Sequence, residues 1–449
     1  MVPSDLLVGR AADIRSCLEL LCHYLPAEQR HGVVKAATFA IFLLTILAAL
    51  TSCDSQSAPP RDDKTVGVPA PDSNDPAAEP IETNRSLDVG QAQAVTQARP
   101  VGAGLREVAR LGLVRSANTT QGIRAIHEQS VVVGIQSTQE FTGEAPPTRL
   151  ELRPIGALGH SGEPVQRLPS KKSRQVSAVD MSERWVVWME TPSTVLGLQP
   201  WTLVAYDRTD KSVRKLARSP RMDDGGPAIS VPGWTGPVIF GTKVYWAQAA
   251  GTLQAGRVDV WGCVIEACNP AMVAKAAAMP ASDGEYLYLI SSANYAGAPS
   301  ANEQTVDRVD PNTGARSTVA RIAVADQEGV SGLAAGPGML AWTVGRSGAD
   351  EAVVLNLVDG SVATFADTQQ GVFGYPVVTR SAVIWAESGG VGPEVGGYLL
   401  DRRDGTLSTI GNKLGLYGEG GDGAYVYWQE SRTPQARPED IDYVVGRLR

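Results

Sequence analysis

Residues 422–430 read DGAYVYWQE, a turn-forming Asp-Gly pair followed by a short strand rich in aromatic and β-branched residues. The same figure recurs as SERWVVWME (182–190), GTKVYWAQ (241–248), DGEYLYLI (283–290), GPGMLAWTV (336–344) and RSAVIWAE (380–387). Measured at Trp188, Trp246, Tyr288, Trp342, Trp385 and Trp428, the spacings are 58, 42, 54, 43 and 43 residues. That is the length of one four-stranded propeller blade.

Outward from each copy, after a loop of variable length, comes a second hairpin: TLVAYDRTDKSVRKLA (202–217), TVDRVDPNTGARSTVA (305–320), AVVLNLVDGSVATFA (352–366) and YLLDRRDGTLSTIG (398–411). Their turns carry the Asp, Asn and Gly that tight reversals require. Each unit therefore predicts four strands, A to D, with short A–B and C–D turns and a long B–C connection. An earlier copy without the aromatic runs from EQSVVVGIQ (128–136) through residue 169. The expected fold class is all-β, a β-propeller of about seven four-stranded blades, with six or eight as alternatives. The final copy supplies three strands, the third being DYVVGRLR (442–449), and LREVARLGLV (105–114) is the natural fourth. Pairing them would close the ring with an N-terminal strand and remove an open edge.

The DGEYLYL and DGAYVYW repeats and the C–D hairpins, over residues 105–449, resemble the TolB-like and WD-like β-propellers of exported bacterial proteins. True WD repeats would add regular Gly-His and Trp-Asp pairs, and sialidases would add Ser-x-Asp-x-Gly-x-Thr-Trp boxes; neither occurs here. TolB usually has six blades and a separate N-terminal domain, so a role in that envelope system does not carry over. Motifs of this kind specify a fold and leave function open.

Upstream, Ala36 to Ser52 is uncharged and apolar, at the short limit for a spanning helix and suited to a secretory signal. Leu50, Thr51, Ser52 and Cys53 resemble the lipobox of bacterial lipoproteins, which implies cleavage before Cys53 and acylation of Cys53. An uncleaved signal anchor is the alternative. Several acyl chains would anchor the protein durably to a bilayer, facing an extracytoplasmic compartment of the cell membrane or outer membrane. The expected organisation is a leader with a lipoprotein signal peptide (1–52), a lipidated cysteine and disordered tether rich in Pro, Ala, Asp and Ser (53–104), and the propeller (105–449). Some 35 residues carrying acids as well as bases precede the apolar block, a departure from the lipoprotein pattern that initiation near Val33 or Val34 would remove.

The net charge is −8, which argues against nucleic acid as a partner because phosphate binding needs a basic face. Beyond the leader only His127 and His160 remain, so multi-histidine metal sites are excluded. No phosphate loop, dinucleotide fingerprint, Gly-x-Ser-x-Gly elbow or His-Glu-x-x-His helix is present, and no cofactor or metal is expected. DPNTG (310–314) has a faint calcium-loop pattern that a hairpin turn explains better. Cys263 and Cys268, in WGCVIEACNP, are expected to form a disulfide in an oxidising exterior, on the outer hairpin of the third blade.

A tryptophan at one fixed point of every blade predicts packing layers, with Trp234 and Trp261 outside that register. The longest inter-blade stretch, residues 219–236, holds Arg221, Asp223, Asp224 and Trp234. D–A and B–C connections share one face of a propeller, so these would lie beside Tyr295, Arg346 and Glu394 as a candidate binding face. Two function classes follow. The first is a non-catalytic, membrane-tethered module that binds or scaffolds a protein or glycan partner. The second is a propeller lyase or hydrolase with a carboxylate-based site at the channel mouth.

Overall fold

The computed structural model describes residues 93–94, 99–100, 105–111, 119–137, 148–158, 163–166, 175–191, 200–223, 225–228, 236–251, 257–291, 303–325, 328–346, 350–366, 372–388, 397–410, 413–418, 423–431 and 441–448. Three N-terminal strands, β1 (Gln93–Ala94), β2 (Arg99–Pro100) and β3 (Leu105–Leu111), precede the first blade. Blade 1 is β4 (Thr119–His127), β5 (Ser130–Ser137), β6 (Thr148–Pro154) and β7 (Glu163–Gln166). Blade 2 is β8 (Gln175–Met181), β9 (Trp185–Thr191), β10 (Thr202–Asp207) and β11 (Val213–Arg218). Blade 3 is β12 (Val238–Phe240), β13 (Lys243–Ala250), β14 (Arg257–Val264) and β15 (Ala271–Ala274). Blade 4 is β16 (Ala277–Ser282), β17 (Leu287–Ser291), β18 (Glu303–Val309) and β19 (Arg316–Ala323). Blade 5 is β20 (Gly329–Gly336), β21 (Met339–Gly345), β22 (Glu351–Asn356) and β23 (Val362–Ala366). In blade 6 the inner strand is split into β24 (Val372–Phe373) and β25 (Val377–Val378), followed by β26 (Ala382–Ser388), β27 (Gly397–Asp401) and β28 (Leu407–Thr409). Blade 7 is β29 (Lys413–Gly418), β30 (Tyr425–Ser431) and β31 (Ile441–Leu448), and β3 is its fourth strand. The chain is a seven-bladed β-propeller.

The ring closes where the sequence predicts. β3 pairs antiparallel with β31, Leu105 opposite Leu448 and Leu111 opposite Tyr443. A bulge between Glu107 and Ala109 breaks the alternation, so Leu111 is buried while Val108 points outward, 39% exposed. Residues 93–94 and 99–100, within the stretch read as tether, also pair: β1 runs parallel to β23 and β2 parallel to β28. The N-terminal strands thus meet the outer edges of blades 5, 6 and 7 in succession.

The second strand of each blade lies between two neighbouring sheets, which is why it reads as a continuous apolar run. All seven residues of β9 are buried. Trp188 packs with Ala125, Val132 and Leu150 of blade 1, Trp246 with Val187 and Met189 of blade 2, and Trp385 with Met339 and Phe365 of blade 5. Each aromatic therefore fills the seam toward the preceding blade, as the fixed register predicts. Blade 1 has Val133 and no aromatic, and its seam is filled from the other side by Tyr427 and Tyr443 of blade 7. Gly122 makes room for this, since a Cβ there would lie 2.7 Å from Tyr443 Oη. Trp261, outside the repeat register, is half-buried against the blade 2–3 layer.

The C–D turns share one construction. Asp207, Asp310, Asn356 and Asp401 each accept, through Oδ1, the backbone N–H two residues on, and each main-chain carbonyl accepts from the residue four on. That fourth residue has positive φ: Gly314, Gly360 and Gly405 in blades 4 to 6, and Lys211 in blade 2. DPNTG is such a turn, with Asp310 Oδ1 bonded to Asn312 N–H, and no cluster of three or more potential ligands occurs among the described residues. Cys263 and Cys268 are disulfide-bonded on the outer hairpin of blade 3, with Cα atoms 5.0 Å apart.

Candidate functional site

The innermost strands surround a cavity of about 620 Å³ on the ring axis. Its wall comes from the C-terminal halves of β4, β8, β16 and β20, from β12 and from β25, and reaches Ser182, Gly241, Gly284 and Pro337 at the A–B turns. It therefore lies toward the face that carries the A–B and C–D turns. Most of the lining is small or donor-poor, with Pro237, Pro280, Pro337 and Pro376 contributed by four consecutive blades. The ionisable groups are Arg124, His127, Asp180 and Asp283, with Tyr375 and Tyr427.

Both carboxylates are engaged by the framework. Asp180, the lone acid of the apolar strand β8, accepts N–H bonds from Met181 at 2.8 Å and from Ile239 of blade 3 at 2.6 Å. Burial pushes its pKa up to about 6, against the opposing pull of those two donors. Asp283 Oδ1 accepts from Glu285 and Tyr286 N–H, and its Oδ2 accepts from the Tyr288 hydroxyl, all at 2.8 Å. Burial, and then the Asp283 charge, drive the Tyr288 phenol upward in pKa. The D-G of DGEYLYLI is thus a turn clasp. Arg124 occupies the β4 bulge, and its Nε has no hydrogen-bond acceptor among the described residues. It lies over Gly134, where a Cβ would come within 2.8 Å of that atom.

The predicted binding face is on the opposite side of the disc. Arg221 and Asp223 are exposed on the D–A connection between blades 2 and 3. This stretch is tied down: Arg221 bridges Pro227, Asp223 N–H donates to Gly251 O, and Met222 is buried in the core. Arg346 is spent on a clasp between blades 4 and 5, donating to Glu328 Oε2, Glu351 Oε2 and Ala323 O. Asp224, Trp234, Tyr295 and Glu394 lie outside the described residues, as does Cys53. The described members thus hold separate framework positions, and Arg346 does not present a free guanidinium.

Sequence reasoning missed the polar residues that join blades. On the D–A face, Asp259 accepts from Ala276 N–H, Gln304 from Val330 N–H and Asp350 from Phe373 N–H, each near the start of a third strand and each reaching the next blade. On the other face, Arg208 donates to Ser182 O and Ser130 Oγ, while Arg402 donates to Thr379 O and Pro337 O. The shared Asp-Arg of DRTD and DRRD was the available signal.

No protein-family model matches the chain, and no curated protein does. Among solved structures, a chain from a study of two prolyl endopeptidases superposes with a TM-score of 0.46 at 14% identity, covering 70% of this chain and 45% of that one. The β-propeller domain of the trilobed protease from Pyrococcus furiosus gives 0.40 at 10% identity, covering 66% of this chain and 96% of that domain. TolB from Acinetobacter baumannii gives 0.31 at 15% identity, covering 58% and 65%. The chain spans about half the length of the first of these. These likenesses are weak, and the seven-blade assignment stands on the strand pairing itself.

Proposed function

We propose that this chain is a membrane-tethered, extracytoplasmic lipoprotein whose propeller is a non-catalytic module binding or scaffolding a protein or glycan partner. The observation that carries this reading is the engagement of Asp180 and Asp283: both channel carboxylates are bound by framework donors, which fits a structural role better than proton transfer to a substrate. The lyase or hydrolase alternative needs a carboxylate free to reach a substrate there. Tethering rests on the apolar run ending in Leu50-Thr51-Ser52-Cys53.

The test is cross-linking in intact envelopes, comparing the natural chain with Cys53→Ala. The natural chain should take up labelled fatty acid and yield one reproducible cross-linked partner, and Cys53→Ala should take up no label. Equal labelling of the variant would sink the tether, and the absence of any reproducible partner would sink the binding role.

A further inference from the structure

The outer strands of the seven blades fall into two groups. β23 and β28 are covered by β1 and β2, and their sequences, VATFA and LST, carry no charge. β3, β7, β11 and β19 have no strand beyond them among the described residues, and each carries charge: Arg106, Glu107 and Arg110; Glu163 beside Pro164; Arg214, Lys215 and Arg218; Arg316 and Arg321. Charges and proline are the usual protection of an open sheet edge against pairing. β15 breaks the rule. It is uncovered among the described residues, yet its sequence AMVA has neither charge nor proline, like the two edges that are covered.

We infer that the outer edge of β15 is a docking strand for an extended, acidic segment of a partner protein, which joins blade 3 as a fifth strand in the way β1 and β2 join blades 5 and 6. The inference deepens the binding-module reading and rests on it. Met272 on β15 is 51% exposed and pairs with half-buried Trp261 of β14 on the same face of the sheet, so an alternating strand would find apolar surface for one side of its pleat. Lys275 follows β15 directly and is exposed, and the next outer strand, β11, offers exposed Lys215 and Arg218, so the surround favours acid. The Cys263–Cys268 disulfide holds the turn of the same hairpin, which limits the ordering cost of docking.

The test uses the full chain and two fluorescein-labelled peptides, one alternating glutamate with valine and one alternating lysine with valine. The glutamate peptide should raise anisotropy saturably, weaken as salt is added, and protect residues 271–274 from hydrogen exchange. Met272→Glu with Lys275→Glu should weaken it at least about tenfold, or about 1.4 kcal/mol, while Arg321→Glu on β19 should leave it within about twofold. Matched circular dichroism and melting would show that both variants fold. Absence of saturable binding, equal binding of the lysine peptide, or indifference to the β15 change would each overturn the proposal. Binding only after deletion of residues 54–92 would overturn it too, since the occupant would then be the chain's own segment. Failure here leaves the envelope cross-linking result unaffected, so the two readings fail separately.

Discussion

Leu105 and Leu448 face each other across antiparallel β3 and β31, so the first blade strand of the sequence is held by the last. Closure of this kind couples every blade to both neighbours, and local damage at one seam should be felt by the whole ring.

Trp385 is fully buried at the blade 5–6 seam, with Phe365, Tyr398 and Phe373 ring centroids at 5.3, 5.9 and 6.3 Å. Trp385→Ala should cost about 3–5 kcal/mol in denaturant unfolding. Trp261→Ala, at a half-buried position, should cost less than half of that. Equal losses would mean the repeated aromatics are not the packing layer.

Arg402 and Arg403 are neighbours with different duties. Arg402 donates to Thr379 O at 2.6 Å and to Pro337 O at 2.5 Å, joining blades 6 and 5, while burial holds its pKa below the usual arginine range. Arg403 pairs with Asp401 in solvent. Arg402→Ala should destabilise by about 2–4 kcal/mol, because two carbonyls lose charged donors, and Arg403→Ala by less than about 1 kcal/mol. Chemical denaturation of both variants checks the order.

Asp180 gives a pH signature. Its pKa is near 6 in the folded chain against an ordinary 3.8, so the folded state holds the proton more tightly than the unfolded one. The associated stability is fully present below about pH 4 and is lost as pH rises through 6, by about 3 kcal/mol in total. Asp180→Asn should remove that decline between pH 4 and 7. A variant whose stability still falls with the natural slope would assign the effect to another group.

The C–D turns allow a test of backbone strain. Gly405 has φ of 70° with open space around its missing Cβ, so Gly405→Ala should cost about 1–2 kcal/mol from conformation alone. Lys211 occupies the matching position at φ 62° without that freedom. Lys211→Gly should therefore be neutral or stabilising by up to about 1 kcal/mol. Thermal melts of the pair should move in opposite directions or diverge clearly.

Much of the ring was legible because one physical demand repeats in every blade. A strand buried on both faces must be apolar along its length, and a tight reversal needs Asp, Asn or Gly, so Trp188, Trp246 and their counterparts could be counted without coordinates. Closure by LREVARL followed from a missing fourth strand. Legibility fails where a residue acts across blades: Asp180, Arg208, Asp259, Arg346 and Arg402 find partners that no local pattern announces. Arg346 stands at the end of a strand, and nothing in the neighbouring sequence announces its ion pairs with Glu328 and Glu351. β1 and β2 were hidden in a Pro- and Ala-rich stretch because two-residue parallel pairs leave no periodicity.

The central claim is that β3 completes blade 7, and serial truncation tests it most directly. A chain beginning at residue 92 keeps β1, β2 and β3 and should melt like the natural protein. One beginning at residue 101 loses only the two short pairs on blades 5 and 6 and should melt slightly lower. One beginning at residue 117 loses Leu111, whose burial contributes roughly 1.5–3 kcal/mol, and bares the edge of β31 to other chains. That last form should melt far lower and aggregate. If the chains beginning at 92 and 117 melt at the same temperature and both stay monomeric, closure by this strand is wrong.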